Sequence, residues 1–285
     1  MTKRHMRLFA VAASAALVLA ACGGDDGDTG TDTGTGGDGN ASADSLRIGI
    51  KFDQPGLGLR EGSDYTGFDV EIAKAVAAQL GVDEGNITWV EAPSAQRETL
   101  LETDQVDLVV ATYSITDSRK ERISFAGPYF IAGQGLLVRA DETEITGKDT
   151  LDGKRLCSVT GSTPAQKIKD EYPGVQLQEF GTYSECLPVL QNKGIDAITT
   201  DDTILAGFAA QEQYVGKLKL VGEPFTEERY GIGVQKGSEL CEQVNAAIEA
   251  IIEDGTWEQA VENTLGKAGF TPGPGNPPEV NEDCA

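Results

Sequence analysis

One turn of the sequence combines residue types that bind anions at the start of a helix. Thr160-Gly161-Ser162-Thr163-Pro164 follows a predicted strand and precedes a predicted helix. Thr163 fits the N-cap position and Pro164 the first helical position. The free backbone N–H groups at such a helix start can hold a carboxylate. Ser162 and Thr163 are therefore candidate ligand contacts, although a helix cap alone would also explain the pattern.

Histidine chemistry is excluded by the composition. The 285 residues contain one histidine, His5, in a segment that we expect to be removed. The mature chain then has neither a Ser-His or Cys-His mechanism nor an imidazole metal ligand. We expect no catalytic residue, no metal and no cofactor. With 46 Asp and Glu against 23 Lys and Arg, the net charge of −23 disfavours nucleic acid as a partner.

The first 44 residues predict export and anchoring. Lys3, Arg4 and Arg7 precede an apolar stretch that ends at Leu19-Ala20-Ala21-Cys22, which is similar to a bacterial lipobox. We expect residues 1–21 to be a signal peptide and Cys22 to carry a lipid; a plain secretory signal is the alternative. Cleavage removes three positive charges and no acid, so −23 becomes −26. Residues 22–44 predict a flexible Gly, Asp and Thr tether, which leaves the protein anchored to the membrane without spanning it.

Four cysteines remain in the region expected to fold: Cys157, Cys186, Cys241 and Cys284. An even number in an exported chain indicates two disulfides, with three possible pairings. Cys157–Cys186 and Cys241–Cys284 are favoured because each pair is neighbouring in sequence. Zinc binding is disfavoured because the chain has no C-x-x-C spacing and no remaining histidine.

The elements that must position these residues alternate between strands and helices. Strand patterns at 46–50, 86–91 and 106–110 are separated by helical patterns at about 72–80 and 95–102. A second series begins with strand 155–159 and continues through helix 164–172, strand 175–180 and helix 184–192. This order predicts an α/β fold with parallel strands.

An internal repeat indicates two lobes. Residues 101–112 resemble residues 190–201 at an offset of 89. Strands at 135–139 and 230–234 would cross between the lobes as a two-strand hinge. We predict lobe 1 at 45–137 plus 232–285 and lobe 2 at 138–231. The last segment, from 270, is expected to lie extended and to be held by Cys284.

Three segments carry a resemblance to a known family: Thr66-Gly67-Phe68-Asp69-Val70, Ala111 to Lys120 (ATYSITDSRK), and Phe125-Ala126-Gly127-Pro128-Tyr129. In this order they resemble the polar amino-acid solute-binding proteins, the extracytoplasmic receptors of ABC importers. The resemblance covers about 46–266. It implies two α/β lobes with a ligand cleft at the hinge, and a monomeric, non-enzymatic receptor whose partners are an amino acid and the importer's permease subunits.

The resemblance also assigns site residues. Arg119 matches the arginine that binds the ligand α-carboxylate, and a planar guanidinium suits that role. Ser114 and the backbone of Thr112 match groups that share the α-carboxylate and α-ammonium, although many members have glycine at the position of Thr112. Asp201 matches the aspartate that binds the α-ammonium, with its neighbour Asp202 as the alternative.

Charged residues of the pocket beyond Arg119 and Asp201, which balance the ligand's α-groups, indicate the ligand side chain. Ser94-Ala95-Gln96-Arg97 is similar to a segment of glutamate and aspartate binders. Lys51 lies just after the first strand, at a position that is basic in the family's receptors for acidic amino acids and acidic in its receptors for basic amino acids. Since an unpaired buried charge is costly, two surplus cations predict glutamate or aspartate. Two alternatives stay open: a receptor for a neutral amino acid such as glutamine, and a cyclohexadienyl-dehydratase-like enzyme, for which Glu98 or Asp53 would have to act as general acid.

Overall fold

The fold was analysed in a computed structural model, which describes residues 44–284. The predicted signal peptide, the lipid site at Cys22 and nearly all of the predicted tether lie outside the described residues. None of the described helices is long and apolar enough to cross a bilayer.

The described chain alternates strands and helices. The strands are β1 Leu46–Ile50, β2 Asp53–Gln54, β3 Gly58–Glu61, β4 Asp64–Thr66, β5 Ile87–Glu91, β6 Leu108–Val109, β7 Ile123–Ala132, β8 Gln134–Arg139, β9 Arg155–Val159, β10 Gln176–Phe180, β11 Ala197–Asp201, β12 Leu218–Val221 and β13 Glu228–Gln235. The helices are α1 Phe68–Gln79, α2 Arg97–Glu102, α3 Asp117–Lys120, α4 Thr163–Glu171, α5 Cys186–Gln191, α6 Asp202–Ala209, α7 Leu240–Glu253 and α8 Thr256–Asn263.

Two five-stranded sheets form the two lobes, so the predicted two-lobed α/β architecture is confirmed. The order is β5-β1-β6-β13-β7 in lobe 1 and β10-β9-β11-β8-β12 in lobe 2. In each sheet the first three strands are parallel, and the next strand runs antiparallel to them. A small antiparallel sheet, β2-β3-β4, was not predicted from the sequence.

The internal repeat has a structural basis at the start of each lobe. Asp107 accepts hydrogen bonds from the backbone N–H of Arg47 at 2.7 Å and from its guanidinium at 2.5 Å. Asp196, which is 89 residues further on, accepts the same two bonds from Arg155, at 2.9 and 2.6 Å. The repeat therefore preserves a carboxylate that joins two neighbouring parallel strands in both lobes.

The predicted lobe boundaries were wrong by a few residues. The boundaries at 137/138 and 231/232 fall inside β8 and β13, yet all of β8 belongs to the lobe 2 sheet and all of β13 to the lobe 1 sheet. The chain crosses at Gly133 and again between β12 and β13. Strand β8 pairs with β11 and β12 of lobe 2, and β13 pairs with β6 and β7 of lobe 1.

Helix α1 shows why the Thr66-to-Val70 motif adopts its structure. Gly67 has φ +113°, and a Cβ there would lie 2.2 Å from the Leu57 carbonyl oxygen, so only glycine fits. The helix buries Ile72 and Val76 at helical spacing. It ends at Gln79, and Gly81 just beyond it has φ +83°, with hydrogen bonds from the Gly81 N–H to Ala78 and from the Val82 N–H to Ala77.

Both disulfides pair as the sequence favoured. Cys157–Cys186 joins β9 to the start of α5, and Cys241–Cys284 joins α7 to the C-terminal segment. That segment runs along the edge strand β7, where the Asn276 side chain accepts from the Ile131 N–H at 2.9 Å and donates to its carbonyl at 2.8 Å. An exposed strand edge is thereby covered, which protects it against pairing with another chain.

Candidate functional site

The candidate site is a small cavity of about 10 Å³ between the two lobes. Lobe 1 contributes the start of α2 and the segment that follows β6, and lobe 2 contributes the start of α4 and the end of β11. Seven of the nine predicted ligand-binding residues line it: Ser94, Arg97, Thr112, Ser114, Ser162, Thr163 and Asp201. Lys51 and Arg119, the other two, are hydrogen-bonded to its walls. A wider groove of about 880 Å³ shares Ser94, Ser162 and Thr163 with the cavity.

Arg97 and Lys51 are buried cations on the lobe 1 side. Arg97 is 2% exposed and donates through Nη1 to the carbonyls of Ala111 and Thr112, at 2.9 and 3.2 Å. Its buried Nε has no hydrogen-bond partner among the described residues. Lys51 is 4% exposed and donates to Ser94 Oγ at 2.8 Å. Burial, reinforced by the positive charge of Arg97, holds the pKa of Lys51 well below its usual range.

Arg119 connects the two lobes. Its Nη1 donates to the carbonyl of Ser114 at 2.6 Å and its Nη2 to the carbonyl of Gly161, in lobe 2, at 3.0 Å. Glu98 lies 3.3 Å from its Nε. Burial, and then the charge of Arg97, lower the pKa of Arg119 to about 10, so it stays a cation at neutral pH.

Thr112 adopts a strained backbone that its neighbours hold in place. Its φ is +46°, which a β-branched residue rarely adopts. Asp69 accepts the Thr112 N–H at 2.9 Å and also the Tyr129 hydroxyl at 2.8 Å. The Thr112 hydroxyl donates to the Ala111 carbonyl at 2.8 Å and lies 3.2 Å from Gln54 Oε1. Burial raises the pKa of Asp69 to about 6.

The helix cap in lobe 2 lies one residue earlier than predicted. Ser162, not Thr163, is the N-cap of α4, and its Oγ accepts the Ala165 N–H at 3.1 Å. Thr163 is the first helical residue and Pro164 the second, which frees the Thr163 hydroxyl. It lies 3.1 Å from Ser114 Oγ in lobe 1 and donates to Glu228 at 2.7 Å. Both serine and threonine suit an N-cap, so sequence alone did not distinguish them.

Asp201 and Asp202 have different surroundings. Asp202 Oδ1 accepts the N–H groups of Gly133 and Thr203, which is a structural role at the hinge and at the start of α6. Asp201 is 3% exposed; its Oδ2 accepts the Tyr230 hydroxyl at 2.6 Å, and its buried Oδ1 has no partner among the described residues. Burial, followed by the charge of Glu228, raises the pKa of Asp201 well above its usual range.

One further contact holds the lobes together beside the cavity. Asp53, in the small sheet of lobe 1, accepts hydrogen bonds from the backbone N–H of Ser184 at 3.2 Å and from its hydroxyl at 3.1 Å. Ser184 lies two residues before Cys186, so the Cys157–Cys186 disulfide restrains this loop of lobe 2.

Sequence reasoning missed several residues around the site: Gln54, Asp69, Tyr113, Tyr183 and Glu228. Asp69 had a usable signal, because it shares the apolar face of α1 with Ile72 and Val76, and a carboxylate in such a face needs partners. Glu228 had none, since it lies in an acidic run with Glu223 and Glu227. Tyr183 lines the cavity, and burial together with the charge of Asp201 raises its pKa to about 12.

Comparison with known proteins identifies relatives of this architecture. Residues 46–267 match the family described as bacterial extracellular solute-binding proteins, family 3. The chain is 44% identical over 282 residues to the glutamate-binding protein GluB of Corynebacterium efficiens, covering 92% of this chain and 93% of the relative. It is 33% identical over 263 residues to the ABC transporter glutamine-binding protein GlnH of Bacillus subtilis, covering 90% and 95%. The solved structure of an ancestral arginine-binding protein bound to glutamine aligns with a TM-score of 0.73 at 33% identity, covering 79% of this chain and 99% of that one.

Proposed function

The chain belongs to family 3 of the bacterial extracellular solute-binding proteins, and we propose that it captures an acidic amino acid, glutamate or aspartate, and delivers it to the permease subunits of an ABC importer. The glutamate-binding relative at 44% identity supports this ligand class. The glutamine-binding relative supports transport of an amino acid by the same type of importer.

The proposal of an acidic ligand depends mainly on two basic side chains that are buried without a neighbouring carboxylate. Lys51 and Arg97 are 4% and 2% exposed, and within residues 44–284 neither has a carboxylate within 4.0 Å. A buried charge without a counter-charge is costly, so a ligand that supplies one is favoured. The distal carboxylate of glutamate or aspartate supplies it. The neutral amide of glutamine would leave the Arg97 guanidinium without a counter-ion.

The α-groups would be bound by Arg119 and Asp201. Arg119 stands at the junction of both lobes, where a ligand α-carboxylate can receive its guanidinium together with the Ser114 hydroxyl. Asp201 lines the cavity, and its buried Oδ1 has no hydrogen-bond partner among the described residues, which suits an ammonium donor. The contacts that Thr163 and Arg119 make across the cleft would hold the lobes closed over the ligand.

The two carboxyl groups considered as general acids, Glu98 and Asp53, both have protein partners, which supports a role in binding without catalysis. Glu98 is paired with Arg119 at 3.3 Å, and Asp53 accepts two hydrogen bonds from Ser184. A general acid needs a proton directed at the substrate, and both groups are engaged elsewhere. Incubation with prephenate or arogenate tests this, since any turnover would contradict a purely binding role.

The proposal includes lipid anchoring at Cys22 on the extracytoplasmic face of the cell membrane. It rests on the lipobox-like segment and the polar spacer that follows it. Cys22→Ala should release the protein from the membrane fraction or leave it as an uncleaved precursor. A variant that still fractionates with membranes like the wild type would contradict the lipid anchor.

The function itself is tested by thermal unfolding with each of the twenty amino acids. A ligand at 100 times its Kd should raise the free energy of unfolding by about 2.7 kcal/mol, which is easily detected. Glutamate and aspartate should give the largest shifts. A larger shift with glutamine than with either acid would contradict the acidic-ligand assignment and leave a neutral-amino-acid receptor.

A further inference from the structure

Tyr113 lies against both of the arginines that the proposed function assigns to ligand carboxylates. The Cζ atom of Arg97 is 4.1 Å from the centroid of the Tyr113 ring, and that of Arg119 is 5.0 Å. Both distances fall within the range of a cation–π interaction, in which the negative ring face attracts a guanidinium. One buried ring therefore contacts both guanidinium groups.

The two guanidinium groups repel each other, so an attractive contact that both share helps to hold them in place. Arg119 has Glu98 as a counter-charge, but Arg97 has only two carbonyl acceptors, Ala111 and Thr112. The π face of Tyr113 adds a negative partner that does not compete with a ligand carboxylate for the N–H donors. The donors of Arg97 at Nε and Nη2 stay free of protein hydrogen bonds within the described residues.

The ring is fixed by packing on several sides. It makes an edge contact with Phe125 at a centroid distance of 4.8 Å. A Cβ at Gly233 would lie 2.9 Å from Tyr113 Cε1, so the glycine of β13 leaves the space that the ring occupies. The buried Tyr113 hydroxyl has no hydrogen-bond partner among the described residues, although Glu98 lies near it. Packing rather than the hydroxyl thus sets the ring orientation.

We propose that Tyr113 is a positioning residue that sets the separation between Arg97 and Arg119 and thereby the length of the dicarboxylate that the cleft prefers. This inference rests on the proposed function, in which Arg119 binds the α-carboxylate and Arg97 the distal one. Glutamate and aspartate differ by one methylene, so a fixed separation favours one of them. Arginines held before the ligand arrives also cost less free energy to order on binding.

The decisive measurement is the ratio of glutamate to aspartate affinity, obtained by calorimetry. Tyr113→Phe retains the ring face, and both the affinities and the ratio should stay within about threefold of the wild type. Tyr113→Leu removes the face; the affinity for the preferred acid should fall about tenfold, and the ratio should move towards one. Val106→Ala is the matched control, since it truncates another buried side chain of the same hydrophobic cluster; its ratio should not change.

A second substitution keeps the test informative if Tyr113→Leu does not fold. Pentafluorophenylalanine at position 113 preserves the ring shape but reverses the charge of its face, so the guanidinium groups lose their attraction. It should alter the ratio in the same direction as the leucine variant. An unchanged ratio in both variants, in a protein whose wild type prefers an acidic ligand, would overturn the inference alone. A wild type that binds glutamine more tightly than either acid would overturn the proposed function and this inference with it.

Discussion

Replacing Arg97 by alanine should damage glutamate binding far more than glutamine binding. Arg97 is 2% exposed and has no carboxylate within 4.0 Å in the described part of the chain. We propose that it pairs with the distal carboxylate of the ligand. The two ligands differ at that group alone, one carrying a charge and the other a neutral amide, so the comparison isolates the charge.

The magnitude follows from what Arg97 contacts. Its Nη1 donates to the carbonyls of Ala111 and Thr112, and both lose this donor whichever ligand is bound. That loss cancels when the two ligands are compared. An unpaired buried carboxylate costs about 2–5 kcal/mol, whereas a lost hydrogen bond to a neutral amide costs about 0.5–1.5 kcal/mol. The glutamate-to-glutamine affinity ratio should therefore fall about tenfold if the two losses differ by about 1.4 kcal/mol.

The assay is a set of calorimetric titrations of both ligands on wild type, Arg97→Ala, Arg97→Lys and Arg122→Ala. Arg97→Lys should recover part of the glutamate affinity, because an ammonium is a point charge without the two-pronged geometry of a guanidinium. Arg122 is a surface cation paired with Glu102, so Arg122→Ala controls for the general loss of one positive charge. That control should leave the ratio unchanged.

Equal losses for glutamate and glutamine in Arg97→Ala would refute the reasoning. They would mean that Arg97 acts on the segment at Ala111 and Thr112, which both ligands use, and does not pair with the distal group. A changed ratio in Arg122→Ala would point to the overall charge of the protein instead of a local pair.

Asp201→Asn should weaken every accepted amino acid by about 2 kcal/mol or more, because every one carries an α-ammonium; wild-type affinity in calorimetry would remove Asp201 from the site. Since burial raises the pKa of Asp201 well above its usual range and an ammonium prefers the ionised form, wild-type affinity should fall as the pH drops through that raised pKa, and Asp201→Asn should lose this pH dependence. Asp53→Ala removes the contact with Ser184 in the other lobe and should speed ligand release about threefold in stopped-flow measurements, while an unchanged rate would exclude a role in closure. Replacing both Cys241 and Cys284 by serine should lower the free energy of unfolding by about 2–4 kcal/mol in urea titrations, and an unchanged midpoint would contradict a stabilising bridge.

Local patterns in the sequence were sufficient for the elements and the architecture. The apolar spacing of Ile72 and Val76 and the stop at Gly81 define α1, and β1 and β9 have the predicted bounds. The repeat around Asp107 and Asp196 indicated two lobes correctly. Such features depend on residues that are close in the chain, where periodicity and capping report directly on burial.

The lobe boundaries and the cap of α4 needed the tertiary structure. Whether β8 belongs to lobe 1 or lobe 2 depends on which strands it pairs with, and β11 and β12 follow it by more than fifty residues. Ser162 is the N-cap, and the Thr163 hydroxyl instead contacts Ser114 and donates a hydrogen bond to Glu228. A neighbour on another lobe competes with the local preference, and no local pattern contains that neighbour.

The sequence by itself determined which residue types stand in each lobe, and with them the family and the predicted ligand class. Only the tertiary structure decided which of those residues are left without a partner. Arg97 and Asp201 come from different lobes, 104 residues apart in the chain, and both are buried without a salt-bridge partner among residues 44–284. Tyr113 has the same origin, because its role depends on two arginines that lie in other parts of the chain, Arg97 in α2 and Arg119 in α3. The free energy of a buried charge depends on its whole surroundings, and those surroundings exist only in the folded chain.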